Sequence, residues 1–273
     1  MKITLVVNIT KPDAMVFKDA IETYLTERGV RVSSILKADY ERSDFSDTDA
    51  IVSIGGDGTM LRIAGVLRGQ DTAILGVNAG HLGYLTEVSQ LDQIPEAMDR
   101  LIKHDYIRDV RTMLHGSVRR NGEVIARGTA LNEILVSRSR GINVMRFAVS
   151  CDGQNLSNYI ADGMIFATPT GSTAYNLSAG GPIVAPGSPV IIMTPICAHS
   201  TKSRPVVLSD SSRIEIRIES EKEIVAYDGE NVVELEKGDI VTVRKANELT
   251  TLIKLRKSSF LETLSKKMDN DIW

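Results

Sequence analysis

Residues 53–62, Ser-Ile-Gly-Gly-Asp-Gly-Thr-Met-Leu-Arg, place a carboxylate inside a glycine-rich turn, a combination suited to chemistry on phosphate. The apolar run 49–54 predicts a buried strand that stops at Gly55 and Gly56. The loop Gly55-Gly56-Asp57-Gly58-Thr59 then opens a periodic helix with Met60, Leu61, Ala64, Val66 and Leu67 as its apolar candidates. Glycines let backbone N–H groups come close to an anion, and a helix N-terminus adds partial positive charge. Asp57 would repel a phosphate held tightly against it, so a plain phosphate cradle would not carry it. Beside bound phosphate, a carboxylate makes sense as proton acceptor for an attacking hydroxyl or as a partner of Mg²⁺. Alone, the string fits a tight βα turn with Asp57 as helix N-cap equally well.

Two further clusters carry the residue types of a ligand site. One runs from Asp162 through an apolar strand, 164–167, into Thr168-Pro169-Thr170-Gly171-Ser172-Thr173-Ala174-Tyr175-Asn176-Leu177-Ser178. Small hydroxyl residues and glycines let a flat ligand reach the backbone and supply donors and acceptors. The Tyr175 ring suits packing against a base. A loop of hydroxyl-backed turns with a helix N-cap is the plainer alternative, but the length and low charge of the run favour a ligand site. In the other cluster, Asn132 and Glu133 interrupt the apolar run 131–136. An amide suits a purine edge and a carboxylate suits paired ribose hydroxyls, although an ordinary strand start explains this pair by itself. The histidines at 81, 104, 115 and 199 show no ligand spacing, and no nucleophile elbow or Walker-type loop occurs. The charges in 254–257 read as a solvated face.

The elements that must position these clusters fall into two rhythms. Residues 1–104 alternate strands (3–9, 30–36, 49–54, 73–78) with helices, 14–28 with Phe17, Ala20, Ile21, Tyr24 and Leu25 on one face, and 91–103. That alternation predicts a doubly wound parallel βαβ sheet, with its site at the carboxyl ends of the strands. Residues 105–257 instead show short β segments punctuated by turn signals at Asn121-Gly122, Asp152-Gly153, Asp210-Ser211, Asp228-Gly229 and Lys237-Gly238. The expected fold is therefore α/β plus all-β: a parallel N-terminal domain, 1–104, and a layered antiparallel C-terminal domain, 105–257. A final helix, 258–268, is expected to pack back onto the first domain.

Composition bounds the function. A chain of 273 residues with 42% hydrophobic and 25% charged residues can bury a large core, and a net charge of −3 gives no basic excess for nucleic acid. No apolar run is long enough to span a bilayer, and the N-terminus reads as a first strand rather than a secretion signal. Cys151 and Cys197, without metal-type spacing, predict buried free thiols in a reducing cytoplasm.

Together the clusters resemble the NAD kinases over nearly the whole chain. The motifs are Gly55–Thr59, Asn78-Ala79-Gly80-His81-Leu82-Gly83-Tyr84-Leu85, Asn132-Glu133, and 162–178 with its Thr-Pro-Thr-Gly-Ser-Thr-Ala-Tyr core, with Asp228-Gly229-Glu230 as a weaker fourth. Diacylglycerol, sphingosine and, more loosely, phosphofructokinases share the first; the Thr-Pro-Thr-Gly-Ser-Thr-Ala-Tyr run is far more restricted. The resemblance implies transfer of the ATP γ-phosphate, or phosphate from another donor such as polyphosphate, to the 2′-hydroxyl of the adenosine ribose of NAD. It implies Asp57 as proton acceptor, Gly58 beside the ribose, and Gly55, Gly56 and Thr59 facing the donor phosphates with Arg62. It further implies Asn132 and Glu133 as hydrogen-bond partners of NAD, and Tyr84 as an aromatic near the ligand. Asp162, Thr173, Ala174, Tyr175, Asn176, Leu177 and Ser178 would wall the adenosine pocket. Mg²⁺ would accompany ATP, and family members are usually homodimers or homotetramers; the composition adds the expectation of a cytoplasmic protein without nucleic-acid or membrane partners.

Two positions depart from the family pattern. Ile160 stands where many members have Arg, so one charged contact would be missing. Glu230 stands where Gln is usual, and a carboxylate there would disfavour an extra phosphate and bias the site to NAD over NADP. A lipid kinase of the diacylglycerol or sphingosine class would use the same first motif, but needs an apolar channel that the sequence does not show. A non-catalytic NAD(P)-sensing protein would keep the pocket without needing Asp57.

Overall fold

In the computed structural model the described residues are 1–36, 44–67, 69–79, 83–139, 144–200, 202–257 and 260–270. The chain divides into two compact units, Met1–Val110 with Thr250–Trp273, and Arg111–Leu249. In chain order the first elements are β1 Lys2–Val7, α1 Ala14–Thr26, β2 Arg31–Leu36, β3 Ala50–Gly55, α2 Asp57–Leu67, β4 Ala73–Asn78 and α3 Ile94–Ile102. Then come β5 Ile107–Arg120, β6 Glu123–Ala130, β7 Glu133–Arg138, β8 Met145–Cys151, β9 Gln154–Ala161 and β10 Gly163–Ala167. A four-residue helix α4 Tyr175–Ser178, β11 Val190–Ile196, β12 Val206–Ser209, β13 Ile214–Ile218, β14 Glu223–Tyr227, β15 Glu230–Leu235, β16 Ile240–Lys254 and α5 Phe260–Asn270 complete the chain.

The first unit is built on parallel strands in the order β2-β1-β3-β4, with Leu252 of β16 pairing parallel to Ile74 beyond β4. Every residue of β3 and β4 is buried, as strands covered on both faces must be. Apolar spacing puts Ala14, Phe17, Ile21 and Leu25 of α1 inward, where they share a core with Ile3, Leu5, Val7 and with Ala97, Met98 and Leu101 of α3. Strand order reverses between β1 and β3, and such a switch point is where open α/β sheets bind ligands, beyond the carboxyl ends of the strands. Asn8 follows β1 there, donating its N–H to Ile54 O at 2.8 Å.

The second unit is antiparallel. One sheet has the order β12-β11-β10-β7-β14-β15 and the other contains β13 between β16 and β8, with β9 at the edge. Alternating residues of both sheets, among them Ile134, Val136, Phe147, Phe166, Ile216, Val225 and Tyr227, form its core. The Asn121-Gly122, Asp152-Gly153 and Asp228-Gly229 pairs all adopt positive φ, as two-residue hairpin turns require.

Several expectations change. In α2 the buried positions are Thr59, Met60, Ile63, Ala64 and Leu67, so Leu61 and Val66 lie off the core face and Ile63 replaces them. The 254–257 segment is not wholly solvated. Lys254 ends β16 and meets Glu87 at 2.7 Å, and the same carboxylate accepts the Leu255 N–H at 3.0 Å. Cys197 is exposed and Cys151 half-buried, because each sits at a strand end rather than in a strand interior. Among the described residues no helix is long and apolar enough to cross a membrane.

Candidate active site

In the first unit, β3 ends at Gly55 and α2 starts at Asp57, leaving Gly56 as the only connecting residue. Thr59 N–H and Met60 N–H both point back to Gly56 O, at 2.9 and 3.4 Å. The three glycines of the loop differ in what they serve. A Cβ on Gly55 would overlap Thr59 Oγ1 and stand 3.1 Å from Asn8 Cβ, so packing alone demands glycine there. On Gly56 it would meet only Asn78 Oδ1, at 3.9 Å, and on Gly58 nothing within 4 Å. Neither Gly56 nor Gly58 has a positive φ. Among the described residues nothing requires them to be small, and the clearance they create is not filled by those residues' atoms. Thr59 is buried beneath the turn, its hydroxyl accepting from Asn8 Nδ2 at 3.3 Å.

Asp57 is held from the following loop. Tyr84 N–H donates to Oδ2 at 2.7 Å and Leu85 N–H to Oδ1 at 3.2 Å. A Cβ on Gly83 would overlap Oδ1 and lie 2.7 Å from Oδ2, so this approach of loop to carboxylate exists only with glycine at 83. Two N–H bonds leave part of a carboxylate's acceptor capacity for another partner. The first helical turn also favours the negative charge. Arg62 is half-buried one turn beyond Gly58, on the same stripe of the helix, and the Tyr84 side chain is half-buried. Gly80, His81 and Leu82 of the second motif lie outside the described residues.

In the second unit, Asn132 and Glu133 form the turn into β7, and their backbone is fixed from both sides. Asp228, the first residue of the β14–β15 hairpin turn, reaches back with its carboxylate. Oδ2 accepts the Leu131 N–H at 2.7 Å, and Oδ1 accepts those of Asn132 at 2.8 Å and Glu133 at 3.0 Å. Asp228 N–H in turn donates to Glu133 O at 3.0 Å. Opposite, Thr168 Oγ1 donates to Leu131 O at 2.6 Å and Thr168 N–H to Asn132 O at 2.8 Å. A Cβ on Gly171 would overlap Asn132 O and stand 2.5 Å from its carbonyl carbon. Thus the 162–178 motif and the Asn132-Glu133 motif, distant in sequence, form one cluster.

The cluster holds unusual charge. Burial pushes the Glu133 carboxyl up to about 7, with the neighbouring Asp228 charge adding to it, and Glu133 Oε2 is buried without a partner among the described residues. Burial raises Asp228 to about 6 against the opposing pull of its three backbone N–H bonds. Because Asp228 is the better solvated by hydrogen bonds, Glu133 is the member that holds a proton longer as pH rises.

The remaining expected residues take different stations. Asp162, just before β10, pairs with Arg138 Nη2 at 3.1 Å. Residues 170–173 form a 3₁₀ turn leading to α4. Tyr175 and Leu177 are 42% and 39% exposed, Ser178 is exposed, and Thr173 and Ala174 are half-buried, so this face is open to solvent. Asn176 is the exception: it is fully buried, with Nδ2 donating to Ser172 O and Pro182 O and Oδ1 accepting from Thr194 at 2.7 Å. Its amide fastens the turn. Glu230 opens β15, two residues after Asp228. Reasoning from sequence missed the roles of Gly83, Thr168 and Asp228. Asp228 was visible as a turn signal and as part of the weaker fourth motif, but its partners lie about a hundred residues away.

The molecule has relatives that match both units. The ATP-NAD kinase N-terminal domain family matches residues 18–106 and the ATP-NAD kinase C-terminal domain family residues 131–255. An NAD kinase of Syntrophotalea carbinolica is 35% identical over 94% of each chain, and one of Agathobacter rectalis 38% identical over 97% of this chain and 98% of its own. Among solved structures, a yeast NADH kinase complexed with NADH has a TM-score of 0.86 at 25% identity, covering 100% of this chain and 89% of its own. An NAD kinase from Archaeoglobus fulgidus in complex with ATP has a TM-score of 0.77 at 31% identity, covering 94% and 95%. The chain belongs to the NAD kinase family and is a phosphotransferase.

Proposed function

We propose that the protein moves the γ-phosphate of ATP onto the 2′-hydroxyl of the adenosine ribose of NAD, releasing NADP and ADP, with Asp57 as general base. The observation that carries this reading is the Asp57 carboxylate, held by two backbone N–H groups and flanked by two glycines whose clearance serves no contact among the described residues. As the new O–P bond forms, Asp57 takes the hydroxyl proton, while the bond to the β-phosphate oxygen breaks. The Gly55–Thr59 loop faces the donor phosphates with Arg62, where N–H groups at a helix N-terminus suit anions. Gly58 stands beside the ribose, and Thr59 buttresses the turn from beneath. Polyphosphate fits the same loop chemistry.

Asn132 and Glu133 bind NAD in this reading, Glu133 offering a buried carboxyl oxygen with no partner among the described residues. Asp162 and the 173–178 stretch line the adenosine side, the buried Asn176 holding that stretch from within, with Tyr84 near the ligand and Glu230 disfavouring a further phosphate. The first unit carries the donor loop and the second the dinucleotide contacts. Magnesium enters with the nucleotide, since Mg²⁺ binds through phosphates, water and one or two carboxylates rather than a protein cage. Among the described residues no group of three or more His, Cys, Asp or Glu could hold a metal. The family's usual state, a homodimer or homotetramer, is the expected assembly, in the cytoplasm. The ligands of the two structural neighbours, NADH and ATP, support the substrate assignment.

The test is incubation of wild-type and Asp57→Asn proteins with NAD, ATP and Mg²⁺, coupling product to an NADP-specific dehydrogenase. Wild type is expected to form NADP and the variant to lose about a hundredfold or more. Equal rates would remove Asp57 as the base. No NADP from a folded wild type that binds NAD would point to a sensor or to another phosphate donor.

A further inference from the structure

Asp228 lies outside the residues that reach a substrate in the reading above, yet its carboxylate is the most heavily hydrogen-bonded of the cluster. Three successive amides, Leu131, Asn132 and Glu133, converge on it at 2.7, 2.8 and 3.0 Å. Successive N–H groups folded into a concavity form an anion nest, and here the anion is supplied by the chain itself. The geometry that puts it there is local: Asp228 has φ +50, the left-handed conformation its hairpin turn demands and Asp tolerates. Thr168 takes the carbonyls of Leu131 and Asn132. With amides and carbonyls both secured, Asn132 and Glu133 have only their side-chain torsions left to order on binding.

We propose that Asp228 is a positioning residue for the dinucleotide, acting through the backbone of Asn132 and Glu133. It aims both side chains before NAD arrives and so lowers the entropy lost on binding. This rests on the assignment of Asn132 and Glu133 to NAD. An isosteric amide at 228 would keep one oxygen acceptor but turn an NH₂ group toward at least one of the three N–H groups.

The experiment compares wild type, Asp228→Asn, Glu133→Ala and the double variant. It measures NAD binding by calorimetry without ATP, steady-state kcat and KM for NAD and for ATP, and thermal unfolding. Asp228→Asn is expected to weaken NAD binding and raise KM for NAD about tenfold or more. KM for ATP should hold, with the rate largely recovered at saturating NAD. In the double variant the two losses should fall well short of additive, because both act through the same residue. Asp228→Glu, which keeps the charge but displaces it, should be intermediate. A uniform fall in kcat with KM for NAD unchanged, full additivity, or failure of both 228 variants to fold would assign Asp228 to the scaffold and overturn the proposal. If Glu133→Ala itself leaves NAD binding intact, the dinucleotide assignment fails first.

Discussion

Asp57 and Asp228 are both carboxylates gripped by backbone N–H groups, one in each unit, and they differ in what the grip leaves over. Asp57 accepts two such bonds and stands beside glycines with open space around them. Asp228 accepts three and returns its own N–H to Glu133 O. A carboxylate with spare acceptor capacity facing open space can act on a ligand; one committed to three backbone N–H groups acts on its own chain. The same chemical group thus serves reaction in one place and pre-organisation in the other. The count of its hydrogen bonds tells the two apart.

The grip on Asp57 can be broken without touching Asp57. Gly83→Ala puts a methyl group onto Oδ1, with Oδ2 at 2.7 Å, and the carboxylate must move or the loop must retreat. A shift of about 1 Å in a catalytic group can cost about a hundredfold. The expectation is a fall of that order in kcat, with KM for NAD changed little. Steady-state kinetics beside thermal unfolding checks it: an unfolded protein would lose both together.

The matching cut in the second unit is Gly171→Ala. Its methyl would overlap the Asn132 carbonyl, which is main chain and already bonded to Thr168 N–H, so no flexible side chain can give way. A loss of about 3 kcal/mol in stability is expected, measured by urea unfolding, with NAD affinity falling in the fraction that stays folded. The comparison would fail if Gly171→Ala spared both.

A smaller effect follows from the charge on Glu133. Burial raises this carboxyl from 4.5 to about 7, so the folded state binds its proton more tightly than the unfolded chain does. The resulting stabilisation is complete below about pH 4.5 and is lost as pH rises through about 7. Glu133→Gln removes that dependence. The stability of the variant relative to wild type should therefore grow between pH 5 and pH 8, by at most about 3 kcal/mol. Chemical unfolding of both proteins at several pH values reads the difference directly. A constant gap would mean that Glu133 is ionised throughout.

Local patterns made much of this fold legible. Apolar periodicity marks α1, and the unbroken apolar runs of β3 and β4 mark strands buried on both faces. Positive-φ pairs such as Asp152-Gly153 mark hairpins. The Gly55–Thr59 loop was legible for the same reason: its strand, turn and helix are contiguous. What stayed hidden depends on partners far along the chain. Asp228 reads as a turn because its φ is local, while its three N–H partners are 95 to 97 residues away. Gly83 reads as one more loop glycine until Asp57 is seen against it. The family resemblance puts Asn176 in the adenosine wall, and only burial shows its amide spent on Ser172, Pro182 and Thr194.

The finest test of the comparison lies at Gly58, where stability and activity should move in opposite directions. The position is the second residue of α2, its φ is not left-handed, and an added methyl would meet nothing within 4 Å among the described residues. In an ordinary helix Ala is favoured over Gly by about 0.5–1 kcal/mol, and the methyl also restricts the unfolded chain. Gly58→Ala should therefore raise the stability of the ligand-free protein by about that much. If the clearance at 58 exists for the ribose beside Asp57, the same methyl fills it, and kcat/KM for NAD should fall at least about tenfold. A gain in stability with full activity would make Gly58 a glycine without a function and leave the open space at the turn unexplained. A loss of stability would mean that the chain itself needs the gap. Only the crossed result, a firmer helix with a poorer enzyme, identifies the clearance as built for something the chain does not contain.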